Sequence, residues 1–121
     1  MPYTELSIQK KMIPNENLLS LLDRNPETYW TGKKGDYINI PMDSNAGPDR
    51  IGIYWKTSAA GFEIQASSGG GQFLTVYQGT TPEAGKMIYY PFNLKTVSDI
   101  RILITEGVAD ISEVNVKGIK Q

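Results

Sequence analysis

The residues best equipped for chemistry stand together in Leu22-Asp23-Arg24-Asn25-Pro26-Glu27-Thr28-Tyr29-Trp30. A carboxylate, an amide and a hydroxyl occur at Asp23, Asn25 and Thr28, and a large apolar anchor, Trp30, follows. Asp and Asn side chains bond nearby backbone and Pro fixes its own φ, so the stretch reads as a turn rather than a regular element. A tight turn aims several carbonyls inward. That suits a hard cation such as Ca2+, which takes six to eight oxygens at roughly 2.3–2.6 Å. The same residues also make a metal-free Asx turn leading into a core tryptophan, and both readings stay open at this point.

The rest of the composition narrows the chemistry by what is missing. The chain has 121 residues, with 12 Lys and Arg against 13 Asp and Glu, no Cys and no His. Disulfides, thiolate or imidazole zinc sites, a cysteine nucleophile and a histidine general base are excluded, and so is a Ser-His-Asp triad. Two carboxylates could hydrolyse a glycoside, but no motif places two acids together, so the chain reads as not an enzyme. The balanced charge carries no nucleic-acid footprint and no polybasic membrane patch. Lys10-Lys11 and Lys33-Lys34 are isolated pairs on what reads as solvated surface. No apolar run reaches membrane-spanning length. The start, Met1-Pro2-Tyr3-Thr4-Glu5, has no secretory apolar region, so the expectation is either a protein not exported by that route or a module of a longer chain.

The elements that must position these groups are short. The 12 Gly and 7 Pro divide the chain into segments filled with β-branched and aromatic residues. Thr4, Leu6 and Ile8 alternate with polar neighbours and suit a first strand. Asn15 to Leu22 carries four leucines after Pro14 and predicts a short helical turn near residues 15–22. Tyr37 to Met42 reads as a strand, and Asp43 to Asp49 as a loop. Ile51, Ile53 and Trp55 alternate with Gly52, Tyr54 and Lys56, which puts Tyr54 on the face away from the core. Phe62, Ile64 and Ala66 alternate again, and Ser67-Ser68-Gly69-Gly70-Gly71 reads as a hairpin connection. Further strands are expected at Phe73–Tyr77, Met87–Leu94, Ile100–Ile104 and Ile111–Ile119, with a loop from Thr80 to Lys86. About eight short strands at this spacing predict a single all-β domain over 1–121, a sandwich or jelly roll. Its predicted core is Trp30, Ile53, Trp55, Phe62, Ile64, Val76, Phe92, Ile102 and Ile104.

The order of these pieces resembles a known family. Leu22-Asp23-x-Asn25-x-x-Thr28-x-Trp30, Tyr37-Ile38-x-Ile40, Ile51-x-Ile53-x-Trp55, Phe62-x-Ile64-x-x-Ser67, Phe73-x-x-Val76, Ile100-Arg101-Ile102 and Ile111-Ser112-Glu113-Val114-x-Val116-x-Gly118 follow one another as in the coagulation factor 5/8 type C, or discoidin, domains. The bacterial family 32 carbohydrate-binding modules are the nearest in character. The resemblance runs from about Leu19 to Gly118. It implies an eight-stranded jelly-roll β-sandwich, galactose-binding-domain-like, with one structural Ca2+. By the same resemblance Asp23, Asn25, Thr28 and Glu113 supply ligands, and carbonyls near Ser20 and Ser112 complete the shell. A metal-free Glu113 would instead accept hydrogen bonds from loop amides.

The resemblance also implies a glycan site on loops at one end of the sandwich, at Thr31–Gly35, Lys56–Ala60 and Glu106–Ala109. Candidate ligand residues are Thr31, Lys33, Lys34, Tyr54, Lys56 and Thr57. The galactose-binding relatives place a His, an Arg and an aromatic where this chain has Thr31, Lys56 and Val108 or Ala109, so the pattern is only partly kept. An acidic glycan matched to Lys33, Lys34 and Lys56 is one expectation, and plain solvated lysines are the other. The implied function is a non-catalytic carbohydrate-binding module that targets a larger protein to a glycan or polysaccharide. Its partners would be other domains of that parent, outside the cell or at its surface. The alternative is a protein-interaction or adhesion domain of the same fold. The small polar loops Gly32–Gly35 and Thr57–Ala60 argue against membrane insertion. Core packing is expected for Trp30 and Trp55, and an inter-strand ion pair for Arg101.

Overall fold

A computed structural model describes residues 4–5, 29–42, 46–67, 72–91 and 97–120. The expected helical turn at 15–22, Phe92, and the candidate ligands Ser20, Asp23, Asn25 and Thr28 lie outside these residues.

Among the described residues the chain is all strand and connection. The strands are β1 (Thr4–Glu5), β2 (Trp30–Lys33), β3 (Tyr37–Pro41), β4 (Ala46–Thr57), β5 (Gly61–Ser67), β6 (Leu74–Gly79), β7 (Met87–Pro91), β8 (Asp99–Glu106) and β9 (Val108–Lys120). Eight of these match the strands expected, the first of them described only at Thr4–Glu5; β2 is the exception, because the sequence reads Thr31–Gly35 as a loop and only pairing with β9 makes Trp30–Lys33 strand. The strands form two antiparallel sheets. One is five-stranded in the order β1-β9-β4-β7, with β2 also on β9; the other is four-stranded, β3-β8-β5-β6. This is a jelly-roll sandwich.

Period-two patterning explains the packing. Ile100, Ile102 and Ile104 of β8 are fully buried while Asp99, Arg101, Leu103 and Thr105 are half-buried on the opposite face. Ile51, Ile53 and Trp55 of β4 face Ile38, Phe62 and Ile64 of the other sheet within one apolar core. Burying each such side chain stabilises the fold by roughly 1.5–3 kcal/mol. Trp30 and Val76, expected inside, are only partly buried and pack against the core from its margin.

Asp43–Asp49, expected as a loop, is partly strand: β4 begins at Ala46. Residues 46–48 pair only with β9, because β7 joins β4 from Arg50 onward. Pro48 therefore sits on a locally one-sided strand beside a register shift at Pro48/Arg50, where the missing N–H is tolerated.

Four rings bridge the sheets at the β6 and β7 side. Phe62 contacts Trp55 at 4.8 Å, Tyr90 at 5.3 Å and Tyr77 at 5.9 Å between centroids. The Trp55 indole N–H donates to the Tyr90 hydroxyl at 2.9 Å, inside the core. Burial pushes the Tyr90 phenol up to about 12, an effect the Trp55 hydrogen bond only partly offsets. The unfolded chain therefore releases this proton near pH 10 while the folded chain still holds it, so stability falls as pH rises from 10 towards 12. Tyr90→Phe is expected to lose about 1–3 kcal/mol at neutral pH, because the Trp55 donor is left buried and unpaired. It should also flatten the decline above pH 10. Urea unfolding of both proteins at pH 7, 10 and 11.5 checks both effects.

Candidate functional site

Four connections meet at one end of the sandwich. The β2–β3 turn is closed by the Asp36 amide donating to the Lys33 carbonyl at 2.8 Å and by the Lys33 amide donating to the Asp36 carboxylate at 3.0 Å. Gly35 takes a positive φ of 92°, and its amide reaches the Ile104 carbonyl at 2.8 Å. That bond ties the turn to the end of β8. The β6–β7 connection is held against the β4 end, with Thr81 and Gly85 amides donating to the carbonyls of Ala59 and Trp55. The β8–β9 turn at Gly107 also has positive φ and packs against Ala60.

Register fixes which side chains share this end. β2 lies on one side of β9 and β4 on the other, with Trp30↔Ile111 and Thr31↔Asp110 on the first side. On the second the pairs are Tyr54↔Glu113, Trp55↔Ile111 and Thr57↔Asp110. Ser112 is thus an extra residue on β9 and Lys56 an extra residue on β4, two bulges in succession on opposite strands. A bulge re-aims its side chain and sharpens local twist. Here the first buries Ser112 completely and the second puts Lys56 on the surface.

The Lys56 ammonium lies 4.2 Å from the centre of the Tyr29 ring, across β9. Tyr29 is 45% exposed. Beside it the Thr31 hydroxyl donates to the Asp110 carboxylate at 2.6 Å, at the surface. The result is a solvent-facing surface of one aromatic ring, two threonine hydroxyls, one carboxylate and one ammonium. An aromatic face with neighbouring donors and acceptors can hold a hydroxylated ring, whose C–H face is apolar and whose edge is polar.

The candidate ligand residues divide. Thr31, Lys33, Lys56 and Thr57 come together at this end. Lys34 belongs to the adjoining turn, where its ammonium pairs with Glu106 at 3.4 Å, so its charge is already matched. Tyr54 is half-buried on the outer sheet face, level with Glu113 and Met87, one step inward from the loops. Tyr29 and Asp110 were not anticipated. Trp30 facing the core places its neighbour Tyr29 on the opposite face, and that alternation is the signal that could have found it.

Of the candidate metal ligands, Ser112 and Glu113 are described. The Ser112 hydroxyl is buried and has no hydrogen-bond partner among the described residues. Glu113 has no ion-pair partner among the described residues. β2 enters the sheet at Trp30 opposite Ile111, the residue next to Ser112. An orphaned oxygen and an uncommitted carboxylate fit a hard cation's donor preference. Among the described residues no cluster of three or more acids is present, so such an ion would need donors from elsewhere in the chain.

No protein-family model matches the sequence, and no curated protein matches it. Solved structures do. A truncated AlyQ with family 32 carbohydrate-binding and alginate lyase domains superposes at a TM-score of 0.78 and 20% identity over 99% of this chain. The chain spans 34% of that protein's length. The AlyQ family 32 module in complex with 4,5-unsaturated mannuronic acid matches at 0.69 and 21%, over 96% of this chain and 93% of that one. Chitosan-binding module 1, from a chitosanase/glucanase of Paenibacillus sp. IK-5, matches at 0.71 and 23%, over 97% and 94%. The fold is that of the family 32 carbohydrate-binding modules. The AlyQ module and the chitosan-binding module are each covered over nearly their whole length, so the likeness extends to the complete sandwich and not one sheet of it.

Within this sandwich, Gly32 has a specific task. A Cβ there would fall inside the Trp30 ring, which lies flat across the glycine. Gly32→Ala must displace Trp30 and is expected to cost about 1–3 kcal/mol through overpacking. It should also shift tryptophan fluorescence. By contrast Tyr29→Ala and Lys56→Ala remove exposed groups and should change stability by no more than about 1 kcal/mol. Chemical denaturation followed by fluorescence separates the two outcomes.

Proposed function

We propose that this domain is a non-catalytic glycan-binding module whose contact surface is the Tyr29–Thr31–Lys56–Thr57–Asp110 end of the five-stranded sheet. The observation that carries it is the exposed Tyr29 ring set among hydroxyl, carboxylate and ammonium groups that three adjacent strands hold in register. The likeness to modules that bind mannuronic acid and chitosan supports the reading. So does a relative in which such a module shares a chain with a lyase domain. The module would thus serve a larger protein, outside the cell or at its surface, by raising its local concentration on a polysaccharide. A shallow, open site gives weak single contacts, and neighbouring copies supply avidity.

Lys33 and Lys56 are the cations available to an acidic glycan here, since Lys34 is matched by Glu106. A glycan array probed with the isolated domain tests the reading. Selective binding to one glycan class is expected, with at least about a tenfold loss in Tyr29→Ala and Lys56→Ala. A blank array from folded protein, or undiminished binding in both variants, would reject this surface and favour a protein-interaction domain.

The same reading includes a structural Ca2+ held by Asp23, Asn25, Thr28 and Glu113, with carbonyls near Ser20 and Ser112. The ion would supply charge neutralisation and a cross-link between the segment before β2 and the last strand, without taking part in chemistry. The unpaired Ser112 hydroxyl and the uncommitted Glu113 carboxylate support it. Calcium at about a hundred times its Kd would add about 2.7 kcal/mol of stability. A chelator is therefore expected to lower the thermal midpoint of the unaltered domain and leave that of Glu113→Gln nearly unmoved. An unchanged midpoint in the unaltered domain would count against the metal.

A further inference from the structure

The outer face of the four-stranded sheet, remote in register from the Tyr29 surface, carries a second constellation. One row of paired residues crosses all four strands: Asn39 on β3, Arg101 on β8, Gln65 on β5 and Thr75 on β6. All four side chains carry hydrogen-bonding groups, and at the ~4.8 Å spacing of strands the row is about 14 Å long. Arg101 is its centre. Its guanidinium carbon lies 4.4 Å from the Tyr37 ring centre and 3.9 Å from that of Phe73. Tyr37 is 52% exposed, whereas Arg101 and Phe73 are half-buried.

The charge on Arg101 is not matched. The ion pair expected from the sequence is absent among the described residues. The nearby carboxylates are committed to other groups. Asp99 accepts from the Asn39 amide at 3.3 Å and the Ser98 hydroxyl at 3.1 Å. Glu63 accepts from the Gln65 amide at 3.3 Å and the Thr75 hydroxyl at 2.8 Å. Two atoms of the row, Arg101 Nε and Asn39 Oδ1, are buried without any partner among the described residues. A guanidinium held between two rings is fixed in orientation, and its planar fork matches a carboxylate with two parallel hydrogen bonds. A cation screened by rings and lacking a counter-ion gains more from such a partner than a solvated lysine does.

We propose that Arg101, clamped by Tyr37 and Phe73, is a second binding site for the carboxylate of an acidic saccharide, on the sheet face rather than at the loop end. The saccharide would lie along the Asn39–Arg101–Gln65–Thr75 row, with a ring against the exposed Tyr37. The inference rests on the glycan-binding reading above, and the test separates the two. Amide and guanidinium NMR shifts of the unaltered domain are followed during titration with a mannuronate tetrasaccharide and, separately, with neutral mannotetraose.

The expected result is that the uronate moves the Arg101 Nε–H signal and the amides of Asn39, Arg101 and Gln65, and that mannotetraose leaves them in place. Arg101→Lys keeps the charge but loses the planar fork, and should weaken the uronate response at this face by at least about tenfold while leaving shifts at Thr31 and Lys56 unchanged. Uronate shifts confined to the loop end would overturn this inference and leave the first site standing. Equal response of the face to both sugars would overturn the carboxylate assignment. No response to either sugar anywhere would overturn the face site, and binding to some other glycan on the array would still preserve the proposed function.

Discussion

β9 lies antiparallel to β4 from Ala46↔Lys120 to Thr57↔Asp110 and carries β2, and the short β1, on its other edge. This pairing joins the middle of the chain to its last described strand across residues 58–107. Closing so long a segment costs entropy before any contact offsets it. What offsets it is the burial of Ile51, Ile53 and Trp55 beside Ile111, Val114 and Val116, all 2% exposed or less. Remove that pairing and β2 loses its one sheet partner among the described residues, β9. The Tyr29–Thr31–Asp110–Lys56 surface therefore exists only when the far ends of the sequence have met.

The two bulges make this pairing more than a scaffold. A register without Ser112 and Lys56 as extra residues would continue the strict alternation, with Lys56 simply next in line after Trp55. The bulge on β9 sends the Ser112 hydroxyl into the interior, where it finds no partner among the described residues. The bulge on β4 restores the register and leaves Lys56 over the Tyr29 ring. Local irregularity within an otherwise regular ladder thus serves both the proposed metal and the proposed glycan surface. The opposite sheet has its own departure from apolar regularity in Arg101, whose stacking between Tyr37 and Phe73 replaces the ion pair expected for a lone arginine in an isoleucine-rich strand.

Much of the fold was legible because side chains alternate with period two wherever one face is buried. Ile100-Arg101-Ile102-Leu103-Ile104 and Phe62-Glu63-Ile64-Gln65-Ala66 state their inward faces directly, and the structure buries the residues expected. The start of β4 was not legible. Ala46-Gly47-Pro48-Asp49 has the composition of a turn, and only its pairing with residues 118–120 makes it strand. Local preference lost there to a ladder partner far away in sequence. The margin of the core was blurred for a similar reason. Trp30 has the character of a core residue, but β2 is an edge strand, and its ring folds back over Gly32 at the rim.

Residue types alone pointed to a β-sandwich and excluded thiol and imidazole chemistry from this chain, since an absent Cys or His cannot be supplied by any fold. They also determined which faces of most strands are buried, because the pleat permits only two. Tertiary structure decided the rest of the site. Tyr29, Asp110 and Lys56 are far apart along the chain and unremarkable singly, and they become one surface only through the β2-β9-β4 register. The matching of Lys34 by Glu106, the isolation of Arg101 and the burial of the Ser112 hydroxyl depend likewise on neighbours brought in by pairing. Alternation reports which way a side chain points; only the assembled sheets establish what it meets there.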